Sequence, residues 1–79
     1  MTREMEDYAR IWQLQDAITT VVDANGHSVW SLRHVQGGFQ LELTEHIGDE
    51  AASELCGQFP IDGDYAGEGS TGTLIQLWD

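Results

Sequence analysis

Residues 18–45 read ITTVVDANGHSVWSLRHVQGGFQLELTE, and the fold class turns on them. Ile18 to Asp23 is rich in β-branched side chains, which favour extended backbone. Ala24-Asn25-Gly26 follows, and Asn-Gly supplies the positive φ angles that a two-residue hairpin needs. His27 to Val35 then reads as a return strand. It alternates Val29, Ser31, Arg33 and Val35 with Trp30, Leu32 and His34. Gln36-Gly37-Gly38 makes a second turn, and Phe39 to Glu45 a third strand. In that strand Phe39, Leu41 and Leu43 alternate with Gln40, Glu42 and Thr44, so one face is buried and one is wet. The segment is therefore expected to be a three-stranded antiparallel meander.

Working outward, residues 4–15 suggest a helix, because Met5, Tyr8, Ile11, Trp12 and Gln15 recur at three- and four-residue steps. Thr2 is its candidate cap, and Glu4, Glu6 and Asp7 suit the positive end of its dipole. A strand over Arg10 to Gln15 is the rival. Gly48-Asp49 opens a second, short helix with Asp49 as N-cap. Its apolar stripe is Ala51, Ala52, Leu55, Cys56 and Phe59, closed by Gly57 and Pro60. Residues 61–72, IDGDYAGEGSTG, read as loop, and Thr73 to Trp78 as a last strand. The expected fold class is α+β: an antiparallel sheet, made of the meander plus a C-terminal strand, with two helices on one face. The expected core is Trp12, Val22, Leu32 or Val29, Leu41, Leu43, Leu55, Phe59, Ile75 and Leu77.

Seventy-nine residues make one domain, residues 1–79, without room for a deep pocket beside a complete core. The 41% hydrophobic content is too high for a disordered acidic tail. Cys56 is the one cysteine, which fits a reducing cytoplasm. The opening MTREMEDYAR has no apolar run of the kind a signal peptide needs, and no window approaches a membrane span.

Strings that resemble chemistry carry little of it. Gly67-Glu68-Gly69-Ser70-Thr71-Gly72 matches G-x-G-x-x-G, but a strand follows where a helix should receive the phosphates. Asp62-Gly63-Asp64-Tyr65-Ala66-Gly67 begins like a calcium loop, but Ala66 and Thr73 stand where ligands belong. At most Asp62, Asp64 and Glu68 bind a cation weakly. His27, His34, His46 and Cys56 lack the close paired spacing of a zinc site. Cys56 reads as a small buried hydrophobe, not a nucleophile. No Ser, His and acid arrangement can be assigned, so neither enzymatic activity nor a cofactor is expected. Trp12, Trp30 and Trp78 read as core or sheet-face packing, with Trp78 the best candidate for an exposed anchor.

Charge is the strongest signal. Fourteen carboxylates face three arginines and no lysine, for a net charge of -11. Repulsion on this scale opposes the compact state, so a chain that folds in spite of it has a use for the charge. Glu42, Glu45, Asp49, Glu50, Glu54, Asp62, Asp64 and Glu68 fall in a stretch, from Gly37 to Asp79, that contains no Lys or Arg. Ordinary surfaces intersperse the two signs. Alternate strand residues lie about 6.6 Å apart and helix neighbours one turn apart about 6 Å. Such a row can meet cations built to grip phosphates, which DNA presents at about 3.4 Å per strand. The same field disfavours direct nucleic-acid binding and an anionic membrane. The plainer alternative is a solubilising acidic surface.

In size, in lacking an active site and in its acidic second half, the chain resembles small phage-encoded anti-CRISPR proteins. Among them it looks most like inhibitors of the type I-C surveillance complex. MEDYARIWQLQD, DANGHSVWSLRHV and GGFQLELTEHIGDEAASEL prompt the likeness. The resemblance implies a non-enzymatic protein in the cytoplasm of a bacterial host. It would bind the crRNA-guided complex and block target DNA. The eight carboxylates are then the expected contacts with a basic nucleic-acid-binding surface. The alternative from a different class is a self-associating structural or regulatory domain with incidental charge.

Overall fold

The computed structural model describes residues 3–78, with side chains from Tyr8 onward. The order is α1 (Arg3–Ala24), β1 (Val29–Val35), β2 (Gly38–Leu43), α2 (Gly48–Cys56), β3 (Asp62–Glu68) and β4 (Thr73–Trp78). The strands form one antiparallel sheet in the order β1-β2-β4-β3. The protein is α+β, with a four-stranded open sheet and two helices. The Thr2 cap and the side chains of Met5, Glu4, Glu6 and Asp7 lie outside the described residues.

The sheet gets its four strands differently from the meander expected. Ile18 to Asp23 is not a strand; it continues α1, and so does the Arg10 to Gln15 segment. The competition is between local propensity and burial. Thr19, Thr20, Val21 and Val22 together cost a helix roughly 2–3 kcal/mol relative to alanine. Ile11, Leu14, Ile18 and Val22 keep the three- and four-residue steps, and Leu14, Ile18 and Val22 are buried. Burying Ile18 and Val22 alone is worth about 3–6 kcal/mol, so the helical period wins. The stripe is set by Leu14, Ile18 and Val22 rather than by the aromatics. Trp12, placed in the core by the sequence reading, is 70% exposed, and Tyr8 is exposed too.

Asn25-Gly26 is accordingly a helix stop and not a hairpin turn. The His27 amide donates to Val22 O (3.1 Å) and the Gly26 amide to Asp23 O (3.1 Å). These are the two bonds of a Schellman motif, in which the residue past the helix end takes positive φ. Gly26 has φ +80°. A type I′ hairpin and this cap both call for glycine there, so the dipeptide does not distinguish them.

From Phe39 along β2, and throughout β4, buried and more open positions alternate. Phe39, Leu41, Leu43, Thr73, Ile75 and Leu77 are buried under the helices, together with Ala52, Leu55 and Phe59. Val29 and Leu32 pack only partly against this core. In β1 a bulge between Val29 and Ser31 breaks the alternation read from sequence. Val29 opposes Leu43 on the packed side, whereas Ser31 opposes Glu42 on the open side.

Residues 61–72 are not loop throughout, because Asp62 to Glu68 forms edge strand β3 on β4. A second bulge separates Tyr65 from Gly67, and Gly67 takes φ +112°. It puts Tyr65 and Glu68, three residues apart, on the same side. The β3–β4 turn then docks against the end of β2. Gly72 is buried there, and a Cβ would collide with the carbonyl oxygens of Leu43 and Glu45. Gly67 and Gly72 of the G-x-G-x-x-G string thus answer to backbone geometry.

Three substitutions test these elements. Thr20→Pro in mid-helix should cost about 3 kcal/mol in denaturant unfolding. Gly72→Ala should cost about 1–3 kcal/mol, because the obstacle is backbone. Trp12→Ala should stay within about 0.5 kcal/mol of the parent.

Candidate protein-interaction surface

The eight carboxylates singled out by sequence fall into two groups. Glu42, Glu45 and Glu68 tie the protein to itself. Glu42, on the open face of β2, accepts bonds from the Thr71 amide (3.1 Å) and the Thr71 hydroxyl. These bonds hold its carboxyl below the usual range, led by the hydroxyl contact. Glu45 meets His27 Nδ1 at 2.8 Å. Glu68 accepts the Tyr65 hydroxyl (2.7 Å) and the Thr73 hydroxyl (2.9 Å), and it contacts His46 Nδ1 (2.7 Å).

The Glu68 cluster explains how α2 begins. Its N-cap position is Ile47, not Asp49, and the Ile47 side chain makes no capping bond. The orphan amides at a helix start need acceptors. Here the amides of Ile47 (2.8 Å) and Gly48 (3.3 Å) donate to the buried Thr73 hydroxyl. That hydroxyl in turn donates to Glu68. A β4 side chain therefore does the work assigned to Asp49, which instead accepts from the Ser53 hydroxyl at 3.2 Å in the first turn.

The second group faces outward. Asp49, Glu50, Glu54, Asp62 and Asp64 are exposed. α2 lies along β3 on the packed side of the sheet, with Ala52 and Leu55 buried, so Glu50 and Glu54 point away from the core. Asp62 and Asp64 oppose Trp78 and Gln76, on the open side of the same edge. The five carboxylates thus flank the β3 edge from both faces. Charge on an edge strand also blocks pairing with another sheet, a structural use that coexists with binding.

The remaining candidates are dispersed. Among the described residues, no group of three or more His, Cys, Asp or Glu is placed to hold a metal ion. His34 is exposed and leans on Phe39, with ring centroids 5.3 Å apart. Cys56 is half-buried, and burial, then Asp64, pushes its thiol up, so it stays protonated at neutral pH. Among the described residues, no helix is long and apolar enough to cross a membrane. Trp30 and Trp78 are 62% and 49% exposed on the open sheet face. No protein-family model, curated protein or solved structure matches the chain.

The Glu68 cluster has a pH signature. Hydrogen bonds from Tyr65 and His46 lead in holding its carboxyl below the ordinary 4.5. A depressed folded-state value means stability that is present above 4.5 and lost as pH falls through the lower folded value. Glu68→Gln should therefore be less stable than the parent at neutral pH. The gap should close as the pH drops below 4.5, measured by urea unfolding at matched pH. A gap independent of pH would remove the carboxylate from this role.

Proposed function

We propose that this protein is a non-enzymatic inhibitor. It binds a basic nucleic-acid-binding surface of a crRNA-guided surveillance complex in the bacterial cytoplasm, and it blocks target DNA by charge mimicry. One observation carries the reading. The α2–β3 side gathers five exposed carboxylates, Asp49, Glu50, Glu54, Asp62 and Asp64, in a stretch without Lys or Arg from Gly37 onward. The likeness to type I-C anti-CRISPR inhibitors names the partner.

The physical case rests on fields. A net charge of -11 on 79 residues attracts a cationic groove over several ångströms and speeds encounter. Glu50 and Glu54 sit one helical turn apart on a short helix held at its start by Thr73, so they meet the groove as a fixed pair. Glu42, Glu45 and Glu68 contribute field, but Glu68 has both oxygens and the other two one oxygen each already engaged within the protein.

Target-DNA binding by a purified type I-C complex tests the proposal. Reversing Glu50 and Glu54 together to Lys should weaken inhibition by about tenfold or more. Reversing Glu4 and Glu6 should weaken it much less. Equal effects from the two pairs would remove the localised surface. No effect of the wild-type protein on DNA binding would remove the function.

A further inference from the structure

Both helices pack on one side of the sheet, and among the described residues nothing covers the other. One row of side chains crosses that open face through all four strands. Arg33 opposes Gln40, Gln40 opposes Gln76, and Gln76 opposes Asp64. The row begins with a cation on edge strand β1 and ends with an anion on edge strand β3. Its two middle members are amides with complementary needs. Gln40 Oε1 accepts from Arg33 Nη2 at 2.6 Å, which leaves the Gln40 amide nitrogen to donate. Gln76 Nε2 donates to Phe39 O at 3.1 Å, which leaves Gln76 Oε1 to accept.

We infer that this face pairs with a second copy of the chain, about a two-fold axis parallel to the strands and midway between β2 and β4. This reading goes beyond the inhibitor function and does not rest on it. Such an axis lays β1 over β3 and β2 over β4, and it preserves position along the strand. Arg33 then stands over Asp64 of the second copy, and Gln40 over its Gln76. Each contact occurs twice, with cation on anion and free donor on free acceptor.

The rows on either side fit the same operation. Val35, Gly38, Trp78 and Asp62 are aligned across the sheet, so Trp78 of one copy stands over Gly38 of the other. On the opposite flank, Trp30 at the β1 bulge stands over Ala66 and Gly67 at the β3 bulge. Trp30 thus meets positions with little side chain, the interdigitation that sheets stacked about 10 Å apart require, whereas Gly38 under Trp78 is itself buried and Glu42 falls over Leu74.

Arg33 shares this face with Glu42, Asp62 and Asp64, so pairing also brings like charges together and should strengthen with added salt. The exposed acids of α2 lie on the packed side, away from the contact. The face measures roughly 19 by 20 Å, or roughly 400 Å² per copy before side-chain relief. That is about half the ~800 Å² per partner of a standard interface, so the dimer should be concentration-dependent.

Analytical ultracentrifugation of the full chain up to about 1 mM tests this, with folding checked by circular dichroism. The wild type should pass from monomer to dimer. Arg33→Asp and Asp64→Arg should each raise the dissociation constant roughly tenfold or more, since two symmetric contacts turn from attraction to repulsion. The double variant Arg33→Asp with Asp64→Arg should return it to within about threefold of wild type. Trp78→Ser, at an exposed site, should weaken the dimer without touching that ion pair. A wild type that stays monomeric overturns the inference. So does a dimer that ignores the single reversals, or a folded double variant that fails to recover. DNA blocking is read separately through Glu50 and Glu54, which lie outside this contact, because Asp64 belongs to both surfaces.

Discussion

Strands β2 and β4 can bury only one face, and the molecule is arranged around that constraint. Phe39, Leu41, Leu43, Ile75 and Leu77 form an apolar strip down the centre of the sheet. Each would cost about 1.5–3 kcal/mol if left in water. α1 supplies Leu14, Ile18 and Val22, and α2 supplies Ala52 and Leu55. Among the described residues no element covers the opposite face, which carries Gln40, Gln76, Trp30, Trp78, Arg33 and Glu42.

The polar contacts are placed where this one-layer design is weakest. α2 is short and starts without a capping side chain of its own, so it borrows the Thr73 hydroxyl from β4. Glu68 orients that hydroxyl and, through Tyr65 and His46, ties the β3 bulge to the segment before α2. Glu42 does the same for the β3–β4 turn through Thr71. Several residues that look like free negative charge are therefore fasteners. The single-sign field survives, because an accepted hydrogen bond leaves a carboxylate ionised; at Glu42 and Glu68 it favours ionisation.

Two surfaces of different character result. The α2–β3 side has one sign and suits a cationic partner. The open face carries Arg33 at one edge, Asp62 and Asp64 at the other and Glu42 between them, and is the face inferred to meet a second copy. Asp62 and Asp64 lie where the two surfaces meet, so a dimer would draw Asp64 into an ion pair while leaving Glu50 and Glu54 outward. Non-enzymatic inhibition by an acidic surface and pairing through the bare sheet are thus compatible in one small fold.

The α+β class, β2 and β4, the short α2 and most of the core are legible in the amino-acid pattern alone. Strict alternation at Phe39-Leu41-Leu43 and Ile75-Leu77 marks the two strands, and the stripe read from Ala51 through Phe59 marks α2, which ends at Cys56 with Phe59 buried just beyond it. The sequence also determined which carboxylates exist and that no cation interrupts them. Only the tertiary structure decided the rest. Ile18 to Asp23 has strand-like side chains but a helix-like period, and the buried apolar strip selected the period. Asp62 to Glu68 has poor strand propensity, and β4 made it a strand by offering unpaired backbone bonds. Trp12 lost its place in the core because Leu14 and Ile18 turned the helix away from it. The separation of fastened from outward acids, and the Arg33–Gln40–Gln76–Asp64 row, depend on strand order and register. Those are relations between residues up to 43 positions apart, and no local pattern encodes them.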